Sequence, residues 1–413
     1  MAYQPFVKGI MVTQESQLQV TSKPVAKFKR DQYVWTYYGL VGLNCYFMAA
    51  LGPIMPFLRA DLHLDYKVAG MHFSAFAIGS MIAGFKGDLI THKLGRVTTL
   101  RSTLIAAALS MVLLITATNS IFSIAAILIV GFCASLIYQT LASTISDHLE
   151  DLRTFAFLEG EVFAMLVAGA APFAVAACVM MNLGWRAAIV LLIVSYLGCI
   201  PLLTQFGNVK NSHDPKILTT GKLSPSFWLF GTIILLSVAV EWSTAFWSAD
   251  YLASRLLISK AAAASTVGAF FIGMVSGRYG GSRLIHTYTS SQLLFVSGLT
   301  AMVGFAMFWL GTVVPVNCCG LFLTGLGIAN MYPLCFSQAV AASPTMRSTA
   351  IARIGLLCGI SILVAPMVLS FIADKHGLFS AYASIAVVLI FCFGSIVLAN
   401  KIAVQDDSHG AAH

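Results

Sequence analysis

The sequence predicts an all-α membrane protein: twelve transmembrane helices in two six-helix bundles related by a parallel internal repeat. Three observations carry this reading. The chain is 58% apolar and only 10% charged, with a mean hydropathy of +0.86; a soluble globular chain carries about 25% charged residues. The apolar residues gather into runs, and 34–57, 104–118 and 381–399 hold no Asp, Glu, Lys or Arg. Finally, the chain matches itself at one fixed offset of 194 residues.

A bilayer core takes roughly 20 apolar residues per helix, and backbone groups in lipid must be satisfied within the helix. Counting runs between charged or Gly/Pro/Asn-rich breaks gives twelve spans, centred near 46, 78, 108, 134, 167, 195, 238, 273, 300, 330, 361 and 391. Residues 1–32 read as a polar cytoplasmic arm ending in Lys27-Phe28-Lys29-Arg30, without an apolar core of signal-peptide length. The first bundle is expected over 33–206 and the second over 225–403. A linker at 207–224 holds Lys210, Asp214, Lys216 and Lys222, and 404–413 form a cytoplasmic tail. No segment is large enough for a separate catalytic domain, so the chain is not expected to be an enzyme.

The net charge of +8 is explained by topology. With a cytoplasmic N-terminus, Arg59, Lys67, Arg186, Arg255, Lys260 and Lys375 are the basic residues that fall outside, and the rest of the 24 fall inside. This asymmetry places both termini in the cytoplasm of a cell whose inner membrane holds the protein. No nucleic-acid partner is implied. The nine cysteines lie in or beside apolar spans without metal-ligand spacing, so they read as small core residues, with no metal and no disulfide framework.

The repeat is carried by residues that biased composition does not readily match. Gly87 meets Gly281, His92 meets His286, Gly131 meets Gly325, Tyr138 meets Tyr332, Arg153 meets Arg347, and Ala171-Pro172 meets Ala365-Pro366. An offset spanning six helices leaves both copies in the same membrane orientation, so two similar bundles can rock about a midplane site.

The loop after the second span reads Gly84-Phe85-Lys86-Gly87-Asp88-Leu89-Ile90-Thr91-His92-Lys93-Leu94-Gly95-Arg96. It resembles the major facilitator signature between helices 2 and 3, with Gly95-Arg96 arriving four residues late, about one helical turn. The second copy, Gly277-Arg278-Tyr279-Gly280-Gly281-Ser282-Arg283, puts Ser282 opposite Asp88, and Gly184-Trp185-Arg186 is also similar to the family. Two features depart from it. The segment Gly169 to Pro172 continues with Phe173 and Ala174 instead of the antiporter glycines, and 127–141 lack the helix-4 arginine of drug and sugar transporters.

The resemblance implies that helix 2 faces helix 11 and helix 5 faces helix 8. A cytoplasmic gate is then expected from Asp88, Arg96, Glu159 and Glu161 against Arg278, Arg283, Arg347 and Arg353, and Glu159 plus the offset is Arg353. Charged groups at membrane depth are functional candidates. Glu241, near the middle of span seven, is the expected proton-coupling residue. Tyr138 and Tyr332 are expected to line the cavity, joined by Asn44, Gln139, Asn330 and Trp242, while His72 reads as a satisfied helix-contact histidine. Pro53, Pro56, Pro172, Pro333 and Pro366 are candidate kinks.

Together these predict a proton-coupled secondary transporter of a small organic solute, working by alternating access as a monomer in membrane lipid without a cofactor. The aromatic cavity weighs toward efflux of amphipathic metabolites or drugs. The alternatives are a sugar-type proton symporter, a lipid-handling flippase and a non-transporting membrane sensor.

Overall fold

The structure, a computed structural model, describes residues 30–149, 153–208 and 222–410. The expected N-terminal arm up to 29, the linker over 209–221 and the tail at 411–413 lie outside the described residues. Among the described residues are eleven continuous helices long and apolar enough to cross a membrane. In chain order the first six spans are α1 (Gln32–Leu62), α2 (Tyr66–Leu94), α3 (Arg96–Thr116), α4 (Ser120–Leu149), α5 (Arg153–Met180) and α6 (Trp185–Cys199). A 3-10 segment, Ile200–Asn208, extends α6. Then follow α7 (Pro225–Leu256), α8 (Lys260–Leu284), α9 (Ser290–Leu310) and α10, which runs over Val314–Ala341 with a break at Asn330.

The eleventh helix is two spans. Its apolar part, Thr349–Lys401, would be about 80 Å long if straight, far beyond a bilayer. It turns at Gly377 (φ 76, ψ 163), which separates α11 (347–376) from α12 (378–410) and completes the twelve spans. A positive φ costs glycine little because it has no Cβ. Gly184, before α6, has nearly the same conformation (φ 75, ψ 166) at the corresponding junction of the first half.

Local sequence sets the helix starts. Asp31, Asp65, Ser224 and Ser259 each accept a hydrogen bond from a backbone N–H three residues on, and Pro225 occupies the first turn of α7. Thr289 and Gln292 form a reciprocal capping box at α9. Such caps satisfy donors that would otherwise be orphaned at the ends of the spans.

The repeat is visible as packing. A Cβ at Gly79 would lie 2.0 Å from the Leu128 carbonyl oxygen, and one at Gly273 2.1 Å from that of Phe322. Likewise Gly131 abuts the Phe76 carbonyl and Gly325 the Phe270 carbonyl. All these pairs are related by the offset of 194, so α2–α4 and α8–α10 make the same glycine-mediated contact in each half. Small residues let helix backbones approach this closely.

The halves meet through α2 with α11, α5 with α8, and α1 with α7. The α1–α2, α5–α6 and α7–α8 turns lie at one end of the bundle, here the Arg59 face. The α2–α3, α8–α9 and α10–α11 turns lie at the other, the Asp88 face.

Candidate functional site

Three charged side chains from three helices lie toward one another inside the bundle, Glu241 at the middle of α7 and Glu161 and Arg278 nearer the Asp88-face ends of α5 and α8. The Tyr138 hydroxyl on α4 donates to Glu161 Oε1 on α5 at 3.1 Å. Glu161 Oε2 lies 3.9 Å from Arg278 Nη1 on α8, so this contact crosses from one half to the other. Arg278 follows Gly277, which packs on the Leu326 backbone of α10 and holds α8 close to it. The Arg278 Nε is buried without a hydrogen-bond partner.

Glu241 lies at the middle of α7, half-buried, with no hydrogen bond or ion pair among the described residues. Arg278 is within electrostatic reach of its carboxyl. Tyr332 on α10 and Cys358 on α11 are within reach of the same carboxyl. Tyr138 is 39% exposed although it lies deep in its span, because its ring stands where the halves part. The arrangement can hold a polar solute between two carboxyls and a guanidinium, with tyrosines beside it.

Several sequence candidates fall elsewhere. Asn44 is buried within the first half, donating to the Ala134 carbonyl and accepting from Tyr196. Gln139 bonds Ser135 on its own helix and rests against Gly87, and Asn330 donates to the Gly277 carbonyl. Asn44 and Asn330 bind helices together, Gln139 is satisfied on its own helix, and none of the three hydrogen-bonds a member of the charged cluster among the described residues. Trp242 is half-buried with its ring 5.2 Å from Phe246. His72 is the satisfied helix contact expected: Nδ1 faces the Val68 carbonyl at 2.9 Å, so it carries the proton, and Nε2 accepts from Ser123 at 2.8 Å.

The gate candidates also separate. Glu161 and Arg278 sit in the central cluster. Arg96 pairs with Asp147 of α4 inside the first half, so it makes no contact across the halves. Glu159 is held by Arg30 at 2.6 Å and by the Tyr38 hydroxyl at 2.6 Å, again within its own half. Asp88, Arg283, Arg347 and Arg353 are exposed and make no ion pair with the other half among the described residues. Toward the Asp88 face, Glu161–Arg278 is the one ion pair that joins the halves among the described residues.

The Arg59 face is sealed, by residues that sequence reasoning did not single out. Arg59 Nη1 donates to Asp250 Oδ2 at 2.7 Å, joining α1 to α7, and its guanidinium lies 3.6 Å from the Tyr66 ring centre. Phe73 stacks on Phe246 at 4.3 Å, and buried Trp247 packs edge-on against Phe73 while donating to the Pro366 carbonyl at 3.1 Å. Gly52 lies against the backbone of Ala245 and Phe246, and Gly70 against Ser370. Asp250 carried a readable signal: like Glu241, it is an acid within an apolar run.

A family model of the Major Facilitator Superfamily matches residues 38–344. The chain belongs to that superfamily. It is therefore an integral membrane protein and a secondary transporter. Among relatives, an uncharacterized MFS-type transporter of Yersinia pestis is 24% identical over 351 residues, covering 83% of this chain and 89% of the relative. Membrane protein MosC of Rhizobium meliloti is 27% identical over 151 residues, covering 36% of this chain and 37% of its own. Among solved superfamily structures, a bacterial homolog of the human lysosomal transporter Spinster, described as inward-facing and unoccupied, superposes with a TM-score of 0.70 at 12% identity. It spans 92% of this chain and 99% of its own. The nucleoside transporter NupG gives 0.70 at 13% identity, over 90% and 98% of the two chains. At these identities the structures share the fold.

Proposed function

We propose that the chain is a proton-coupled carrier of a small organic solute, bound among Glu161, Arg278, Glu241, Tyr138 and Tyr332. One observation carries the reading: Glu241 stands at the middle of α7 without a hydrogen-bond or ion-pair partner among the described residues. A carboxylate at that depth needs a cation, a ligand or water, and otherwise takes a proton. Alternating access exposes the same carboxyl to each side in turn, so protonation and solute occupancy become linked. The preference for efflux rested on an aromatic cavity with few charges. With Arg278 within electrostatic reach of Glu241 that ground is weaker, and the direction of net movement is set by the imposed proton gradient.

The test is transport in proteoliposomes with an imposed pH gradient, screened across acids, sugars, amines and nucleosides. Glu241→Gln is expected to abolish gradient-driven accumulation while solute exchange continues. Accumulation at the wild-type rate with unchanged pH dependence would leave Glu241 a structural residue and move coupling elsewhere.

The basic residues concentrate toward the Asp88 face, and this supports a cytoplasmic location for that face and for both termini in the inner membrane. The described state is then sealed on the side away from the cytoplasm. In the opposite state, Asp88 on α2 would meet Arg347 and Arg353 on α11, and Glu159 on α5 would meet Arg283 on α8, as an inner latch. Replacing Asp88 by Asn and Glu159 by Gln is expected to raise labelling of a cysteine at position 138 from the cytoplasmic side; unchanged labelling in both variants would rule the latch out.

A further inference from the structure

The charges at the central site select one class of solute, and this inference rests on reading that site as the substrate site. Arg278 carries five N–H donors. Its contact with Glu161 is 3.9 Å, longer than a hydrogen bond, and its Nε is buried with no acceptor. Among the described residues this guanidinium thus has one loose ion pair and one unmet buried donor, and the group that fits its planar fork is a carboxylate bound through two parallel hydrogen bonds.

The titratable and charged groups that face one another here come from seven helices. They are Tyr37 and Cys45 on α1, Tyr138 on α4, Glu161 on α5, Glu241 on α7, Arg278 on α8, Tyr332 on α10 and Cys358 on α11. Arg278 is the one cation in that set. Two carboxyls against one guanidinium disfavour a dianion, because its second charge would face Glu161 or Glu241 unpaired. With a proton on Glu241, Glu161 is the one ionised carboxyl facing Arg278, so an amine would leave the Arg278 donors unmet and set a second cation against a single carboxylate. A neutral solute could accept from Arg278 but would forgo the stronger charge-assisted bond. The rings of Tyr138 and Tyr332 remain for the rest of the molecule.

We propose that the solute is a small organic monocarboxylate, bound to Arg278 in place of the loose contact with Glu161, and that it travels with one proton held on Glu241. The balance closes without a further reactant. The carboxylate enters as an anion, one proton forms an O–H bond on the ionised Glu241, and the net charge of the site is unchanged. Release on the far side breaks that O–H bond and frees both. Because binding linkage is reciprocal, each of the two tightens the other.

The experiment is thermal-shift titration of the purified full chain with aliphatic and aromatic monocarboxylates, such as hexanoate and benzoate. Hexanamide, benzamide, benzylamine and phthalate serve as neutral, cationic and dianionic counterparts. Monocarboxylates are expected to bind, more tightly at mildly acidic than at mildly alkaline pH, and the counterparts at least about tenfold more weakly, the scale of a lost charge-assisted contact. Arg278→Gln should weaken the acids about tenfold or more, with Arg278→Lys intermediate, and Glu241→Gln should retain binding while losing the pH dependence. If Arg278→Gln does not fold, Arg278→Lys and the acid-to-amide comparison on the unaltered chain decide the same question. Amides or amines binding as well as acids, no response to any acid, or full affinity in Arg278→Gln overturns the assignment. Gradient-driven transport of a neutral or cationic solute would also overturn it, yet leave the proton-coupled carrier standing.

Discussion

Gly52→Ala is expected to prop the Arg59 face apart and stop concentrative transport. The added methyl would sit 2.2 Å from the Ala245 carbonyl oxygen and 2.9 Å from the Phe246 Cα. Both are backbone atoms of α7, so no side chain can rotate away, and α1 and α7 must separate. Overpacking of this kind costs about 1–3 kcal/mol or more in the sealed state and nothing in a state where the helices have parted. Each 1.4 kcal/mol shifts a two-state equilibrium about tenfold, so the sealed form would lose most of its population. Alanine is also the better helix former by about 1 kcal/mol, so any loss cannot come from the helix itself. Hydrogen–deuterium exchange over 245–256 should rise strongly, and accumulation in proteoliposomes should fall. Wild-type exchange and transport in this variant would show that the contact does not seal the face.

The second large effect concerns the ion pair in the same seal. Arg59 and Asp250 have side chains only 18% and 8% exposed, so removing one partner strands the other in a poor dielectric. Breaking a buried pair from one side costs about 3–5 kcal/mol. Arg59→Gln and Asp250→Asn, each alone, should therefore raise exchange at the Arg59-face ends of α1 and α7. The double variant should be milder than the sum of the singles, because no unpaired charge remains. Strictly additive effects would mean that the two groups are energetically independent and that the aromatic stack holds the face by itself.

Much of the architecture was readable because hydropathy and repetition report on lipid and symmetry directly. The twelve spans lie within a few residues of their expected centres, and the matched glycines turned out to be the helix contacts that need small residues in both halves. A boundary between the spans centred near 361 and 391 was expected, and the polar run Asp374-Lys375-His376-Gly377 supplies it, with the turn itself at Gly377. The site was less legible, for a physical reason. Distance along a helix gives depth, whereas side-chain direction depends on packing against neighbours. Glu241 was found because depth alone makes a carboxyl unusual. Asn44, Gln139 and Asn330 have suitable depth but are engaged within their own halves, Asn44 and Asn330 by hydrogen bonds to neighbouring helices and Gln139 by one to Ser135 on its own helix. Glu161 and Arg278 were assigned to the gate because each lies near one end of its span, and they do meet across the halves, but only the packing of α5 on α8 shows that they also lie within electrostatic reach of the Tyr138, Glu241 and Tyr332 positions. Arg59 and Asp250 come from different halves, and only their meeting across the interface makes either one informative.

The seal at one end of the bundle also gives the molecule leverage. A helix of 32 residues, the length of α7, is about 48 Å long, and the Phe73–Phe246 stack lies well beyond its midpoint toward the Arg59 end. Because glycine-packed helices make each half stiff, the stack and its neighbours behave as a fulcrum, with a short arm to the sealed rim and a long arm to the other. A tilt of roughly 10° about that point would swing the far end of such a helix by several ångströms while moving the rim by much less. Small side-chain adjustments beside the fulcrum are thereby geared up into the opening through which a solute enters.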